Sequence, residues 1–215
     1  MIRSFLVLAL LSAACGGSDE VAQKPAWLQA GSAGPIGPSS SPLERYFPLV
    51  DGTVFQYETV SYSDAPKAGN GLLMASAHRT SSTRGELRLP GATRSIEYVP
   101  DGVVTTGPTG ERWYLLQTPL TVGRSWNGPR GAPVTVLDVD VAETVPAGTF
   151  QGCVRTAELH TGDDPKKIVT TYCPDVGIVI LEEQSAAGME RASLKHFGPP
   201  VDIGPEGVTK TQGNP

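Results

Sequence analysis

Few side chains in this sequence have types and spacings that do chemistry. Asp138 and Asp140 stand two residues apart in the run Val134-Thr-Val-Leu-Asp-Val-Asp-Val141. On a strand that spacing puts both carboxylates on one face, where they can share a calcium ion or a proton. Val134 and Val136 fall on the same face, so the plainer reading is a face that passes from core to solvent. The three histidines, His78, His160 and His196, stand singly on strands or strand ends, without a second ligand at metal spacing. No metal and no cofactor are therefore expected. The sequence contains no Gly-x-Ser-x-Gly elbow, His-Glu-x-x-His, Cys-x-x-Cys or phosphate-cradling glycine loop. A Ser–His–Asp triad assembled by the fold is the one catalytic route left open. The expectation is that the protein is not an enzyme.

The cysteines say more. Met1-Ile-Arg3 is a short basic start, Phe5-Leu-Val-Leu-Ala-Leu-Leu11 an apolar run, and Ser12-Ala-Ala-Cys15 places small residues before a cysteine. The run is well short of the roughly 20 residues of a spanning helix, so residues 1–14 read as a cleavable export signal. The tetrapeptide resembles a lipobox, with Ser12 where leucine is usual and Leu11 one place earlier. That resemblance implies lipidation of Cys15 and cleavage before it; the alternative is an ordinary signal cut near Ala14 that leaves a free thiol. Cys153 and Cys173 are then an even pair in an oxidising compartment, which reads as a disulfide. If their flanking runs form a hairpin centred on Asp163, Glu158 falls opposite Ile168 and Cys153 opposite Cys173, within disulfide reach. Two buried free thiols are the alternative.

The elements that must position these groups are almost all β. Residues 15–42 are rich in Gly, Ser, Pro and Ala without apolar periodicity, and read as a flexible tether. Residues 199–215 read as a disordered tail. Between them, 43–198 carries short β-rich runs separated by turn signals. Thr53 to Tyr62 alternates, with Phe55 and Tyr57 on one face and Val54 and Gln56 on the other. Asn70-Gly71 reads as a turn, and Leu72 to Thr80 as the run after it. Further runs are Arg94–Val99, Val103–Thr106, Glu111–Gln117, Val134–Val141, Cys153–His160, Ile168–Cys173, Gly177–Gln184 and Met189–Phe197. The expectation is a single mainly-β domain, an antiparallel curled sheet of half-barrel or sandwich type, with Phe55, Tyr57, Trp113, Trp126, Phe150 and Tyr172 mostly buried.

Four motifs recur together: Tyr46-Phe-Pro-Leu49 with Gly52, Phe55 and Tyr57; Thr118-Pro-Leu-Thr-Val-Gly123 with Trp126; Glu143-Thr-Val-Pro-Ala-Gly-Thr-Phe150 with Cys153; and Tyr172-Cys-Pro-Asp-Val-Gly-Ile-Val179. In these the chain resembles a family of uncharacterised bacterial envelope proteins, often lipoproteins. The resemblance covers most of residues 46–197, with Phe55 where the family most often has Trp. It implies a curved antiparallel sheet wrapped on a hydrophobic interior, and it implies no activity.

Net charge is −5, and about −6 once Arg3 leaves with the signal, with no Lys/Arg cluster. Nucleic acid is therefore not an expected partner. The expected partners are a membrane, through the lipid on Cys15, and either an envelope protein or an apolar ligand. Gly16 rather than Asp after Cys15 points to the outer membrane by the enterobacterial sorting rule. The leading expectation is a non-enzymatic envelope lipoprotein with a structural or protein-interaction role. The alternative is a binding module that holds a lipid or other apolar ligand in its curved sheet. A sealed, packed interior favours the first and an open apolar groove the second.

Overall fold

The computed structural model describes residues 41–62 and 70–199, together with the backbone of 202–204 and 207–209. The export signal, Cys15 and the tether up to residue 40 lie outside the described residues. Among the described residues, no helix is long and apolar enough to cross a membrane.

The domain is one antiparallel β sheet of twelve strands that nearly closes on itself. Its first half is β1 (Val54–Tyr62), β2 (Asn70–Arg79), β3 (Arg84–Leu89), β4 (Ala92–Val99), β5 (Gly102–Thr106) and β6 (Arg112–Gln117). Its second half is β7 (Ser125–Asn127), β8 (Pro133–Val145), β9 (Gly148–His160), β10 (Lys166–Cys173), β11 (Gly177–Ser185) and β12 (Gly188–Gly198). Apart from β6 and β7, each strand pairs with its neighbours in sequence, and β1 pairs with β12 at the middle of the sheet. The two ends, β6 and β7, are brought together by Trp126, whose indole N–H donates to the Tyr114 carbonyl at 3.2 Å. Trp126 is buried with Val134, Val136 and Val154. The bend at Pro119 and Gly123 delivers it there: Gly123 takes the left-handed conformation, at φ 82°, while its N–H bonds the Val136 carbonyl. Beyond the domain, β13 (Asp202–Gly204) pairs with β14 (Gly207–Thr209) as a small hairpin inside the stretch read as a loose tail.

The alternation in β1 behaves as its pattern requires. Phe55 and Tyr57 are buried while Val54 and Gln56 are half-buried, and the Tyr57 hydroxyl donates to the Ile178 carbonyl at 3.0 Å. Burial of that hydroxyl raises its pKa. Tyr172, also buried, is pushed up to about 12 for the same reason. Of the six aromatic rings expected inside, Trp113 and Phe150 are only half-buried. Trp113 lies over Gly107 at the β5–β6 turn, where a Cβ on the glycine would stand 2.3 Å from the indole. Phe150 packs on Phe197 at a centroid distance of 6.2 Å.

Asn70-Gly71 is not a turn. Both residues belong to β2, paired with Val60 and Thr59. A Cβ on Gly71 would come within 2.7 Å of Thr59 Oγ1, so the glycine serves a close cross-strand approach.

The segment before β1 fills the inside of the sheet. Leu43, Phe47 and Leu49 are buried in the main core with Phe55, Tyr98 and Leu194. Backbone polar groups in this segment find partners across the domain. The Tyr98 hydroxyl donates to the Phe47 carbonyl at 2.7 Å, and the Asp175 N–H donates to the Arg45 carbonyl at 2.6 Å. Glu44 is ion-paired with the buried Arg79, whose guanidinium stacks 4.9 Å from the Tyr98 ring centroid. Ser41, at the end of the stretch read as tether, is itself buried and donates to the Gly102 carbonyl at 3.3 Å.

Candidate functional site

The residues singled out for chemistry do not converge. Asp138 and Asp140 lie in a part of β8 where the register against β9 shifts three times between Val136 and Glu143. Such bulges interrupt the two-residue period on which a shared face depends. Asp138 turns to Arg155, which donates to it at 3.2 Å and is also ion-paired with Glu143. Asp140, exposed and at φ 55°, sits near Gly152 instead. The shared-cation reading of the two aspartates is therefore replaced by an ion pair. His78 bonds Asp51 at 2.8 Å, and Asp51 also accepts from the Arg79 N–H. His160 Nε2 stands 2.5 Å from Glu158, off the direction of a good hydrogen bond. Among the described residues no three His, Cys, Asp or Glu are grouped to hold a metal.

Cys153 and Cys173 are joined by a disulfide with their Cα atoms 4.2 Å apart. The register that permits it has Glu158 opposite Ile168 and Val154 opposite Tyr172. Both sulfurs are in the buried core, where β10 turns towards β11 next to the inserted segment.

Beneath the inserted segment, among the described residues, little space is left. The space left beneath the inserted segment, between Phe47, Phe55, Tyr57 and Val176, is about 20 Å³. That is room for about one water and far below the roughly 300 Å³ at which small-molecule sites begin.

Apolar surface is instead open on the outside, beside β2. β2 pairs with β1 over Asn70–Ser76 but with β3 only from Ser76 to Arg79. Among the described residues no strand lies on the other side of Asn70–Ala75. Alternate residues of this edge, Leu72 and Met74, are 61% and 40% exposed. With Val54, Leu89, Pro90 and Thr93 they line an open groove of about 510 Å³. Arg88, which also lines it, is held to Glu86 by two 3.0 Å bonds. The edge has none of the charges, prolines or bulges that normally blunt such a strand. Sequence reading missed this site; its one signal was the uncharged run Asn70-Gly-Leu-Leu-Met-Ala-Ser-Ala77.

No family model matches the chain. No curated protein matches it. Among solved structures it is similar to a Bacteroides fragilis protein described as a presumed exported protein with a YmcC-like fold. Identity is 10% and the TM-score 0.46, over 77% of this chain and all of that one. It is also similar to a Parabacteroides distasonis protein described as a presumed lipoprotein, with 12% identity and a TM-score of 0.46, over 71% of this chain and 98% of that one.

Proposed function

We propose that the protein is an exported lipoprotein anchored by acyl chains on Cys15, in the outer membrane by the reading of Gly16. Its β domain works without catalysis, taking an extended apolar segment of another envelope protein as an added strand beside β2. The unpaired half of β2 carries this reading. Among the described residues no strand takes up the outer backbone donors and acceptors of Asn70–Ala75, which suit strand addition, and the groove beneath Leu72 and Met74 suits the alternate side chains of an incoming strand. The filled interior supports the same view, because a carrier of an enclosed lipid needs a cavity. The open groove itself favours a second reading, an acyl chain lying against β2.

One experiment separates the two. A photoreactive residue at Met74 is expected to form, in the host envelope, an adduct that maps to one contiguous extended segment of one protein. The same probe at Leu159, exposed on a different strand, is expected to form none. Lipid adducts at Met74 would shift the assignment to the acyl reading, and equal yields at both positions would reject a site at β2.

The anchor has its own test. Cys15→Ala is expected to move the protein from the membrane fraction to a soluble one. An unchanged membrane fraction would contradict lipidation at this position.

A further inference from the structure

The long β8–β9 hairpin builds a feature that strand docking at β2 does not use. In a flat sheet, four strand spacings would hold β8 roughly 19 Å from β12. Yet the Ala147 N–H at the hairpin tip bonds the Leu194 carbonyl of β12 at 3.0 Å. The strands from β8 to β12 therefore curl, and the bulges of β8 allow the bend. Within the curl is a cavity of about 320 Å³ lined from all five strands. Val169, Thr171 and Ile180 form its buried part, and Arg155, Lys167 and Arg191 bring three cations to it.

Two of those cations are fixed by carboxylates. Arg155 is held between Asp138 and Glu143. Arg191 donates to Glu182 at 2.9 Å and to Ser193 at 3.1 Å. A guanidinium has five N–H donors, so each retains some for a ligand. Lys167 is different: among the described residues it makes no ion pair and no hydrogen bond. The carboxylate diagonal to it across β11, Glu182, is taken by Arg191. Thr171, 1% exposed, lines the same cavity. Gln184, opposite Lys167 on β11, adds an amide without a partner.

We infer that this cavity binds a small hydroxylated monocarboxylate, of the size of a single-ring sugar acid. Its carboxylate is neutralised by Lys167. Its hydroxyls meet Thr171, Gln184 and the remaining N–H groups of Arg155 and Arg191, and its C–H face rests on Val169 and Ile180. The volume lies at the lower end of the roughly 300–1,000 Å³ of small-molecule sites. Walls so rich in donors suit an oxygen-bearing ring better than an acyl chain.

Isothermal titration of the full mature chain in detergent, with glucuronate and with glucose as probes, tests the inference. Glucuronate is expected to bind saturably, and glucose about tenfold more weakly or worse, the worth of one charge-assisted bond. Lys167→Gln is expected to abolish that preference, Thr171→Val to weaken both sugars, and Lys195→Gln, exposed on β12, to change nothing. Absence of saturable glucuronate binding, equal affinity for the two sugars, or a preference that survives Lys167→Gln would overturn it. The comparison of the two probes on the unmodified protein decides the matter even if a variant misfolds.

Discussion

Replacing both Cys153 and Cys173 with alanine is expected to lower the unfolding free energy by about 3 kcal/mol in the chain-entropy description of a loop this long. The sequence separation is 20 residues. The bond closes the β9–β10 hairpin at the end away from its loop, beside the residues that hold the inserted segment: the Asp175 N–H binds the Arg45 carbonyl and Val176 packs in the core. Its loss loosens two features at once, so the effect is expected at or above the entropic value and not below it. Alanine is preferred to serine, since both positions are fully buried and two hydroxyls would lie there unsatisfied. Burial also predicts that reductant acts slowly on the native protein and readily in denaturant. Urea unfolding with and without reductant measures the first effect, and alkylation under native conditions the second. An unchanged midpoint together with two readily alkylated thiols would contradict the bond.

Leu49→Ala is expected to be about as damaging, about 2–5 kcal/mol for a buried leucine whose site cannot collapse. Leu49 is 1% exposed, and Gly85 of β3 comes close beneath it: a Cβ there would stand 2.8 Å from Leu49 Cδ1. Its neighbour Val50 is 65% exposed, so Val50→Ala should stay within about 0.5 kcal/mol of the parent. The contrast between adjacent residues isolates insertion from general effects on the segment. The Leu49 variant should also bind an apolar dye at the vacated interior. A cost below about 1 kcal/mol for Leu49→Ala would mean that the segment covers the sheet without filling it.

Some of this architecture was legible before any coordinates, for physical reasons that differ by element. The period of two in β1 is strong because one face carries Phe55 and Tyr57 and the other Gln56 and Glu58. The β9–β10 register was legible because the polar loop between His160 and Lys166 fixes its centre, after which each opposed pair follows by counting. β3 was not recognised. Its Arg84-Gly-Glu-Leu-Arg-Leu89 puts charge at alternate positions and a glycine in the buried row, so its apolar face is only Leu87 and Leu89. Asn70-Gly71 misled because the glycine answers a neighbour's side chain and not a turn.

The sites were harder to read than the strands because each depends on long-range geometry. Asp138 and Asp140 separate only because β8 is bulged, and a bulge leaves little trace in an alternating run. The role of Phe47 and Leu49 depends on where β3, β4 and β10 stand around them. The groove at β2 exists because β3 ends at Leu89, six residues of β2 before its partner β1 does. The cavity around Lys167 and Thr171 exists because Ala147 reaches Leu194. Composition and spacing do not encode any of these meetings locally.

The central claim is that the domain keeps its interior for itself and meets another protein at its β2 edge. Native mass spectrometry of the protein, purified gently from its own host, tests it most directly. The account predicts the acylated chain bound to a protein partner, with complex formation abolished by Met74→Pro, which removes a backbone N–H donor from the edge strand. A stoichiometric lipid that leaves only on unfolding, with no protein partner, would contradict it.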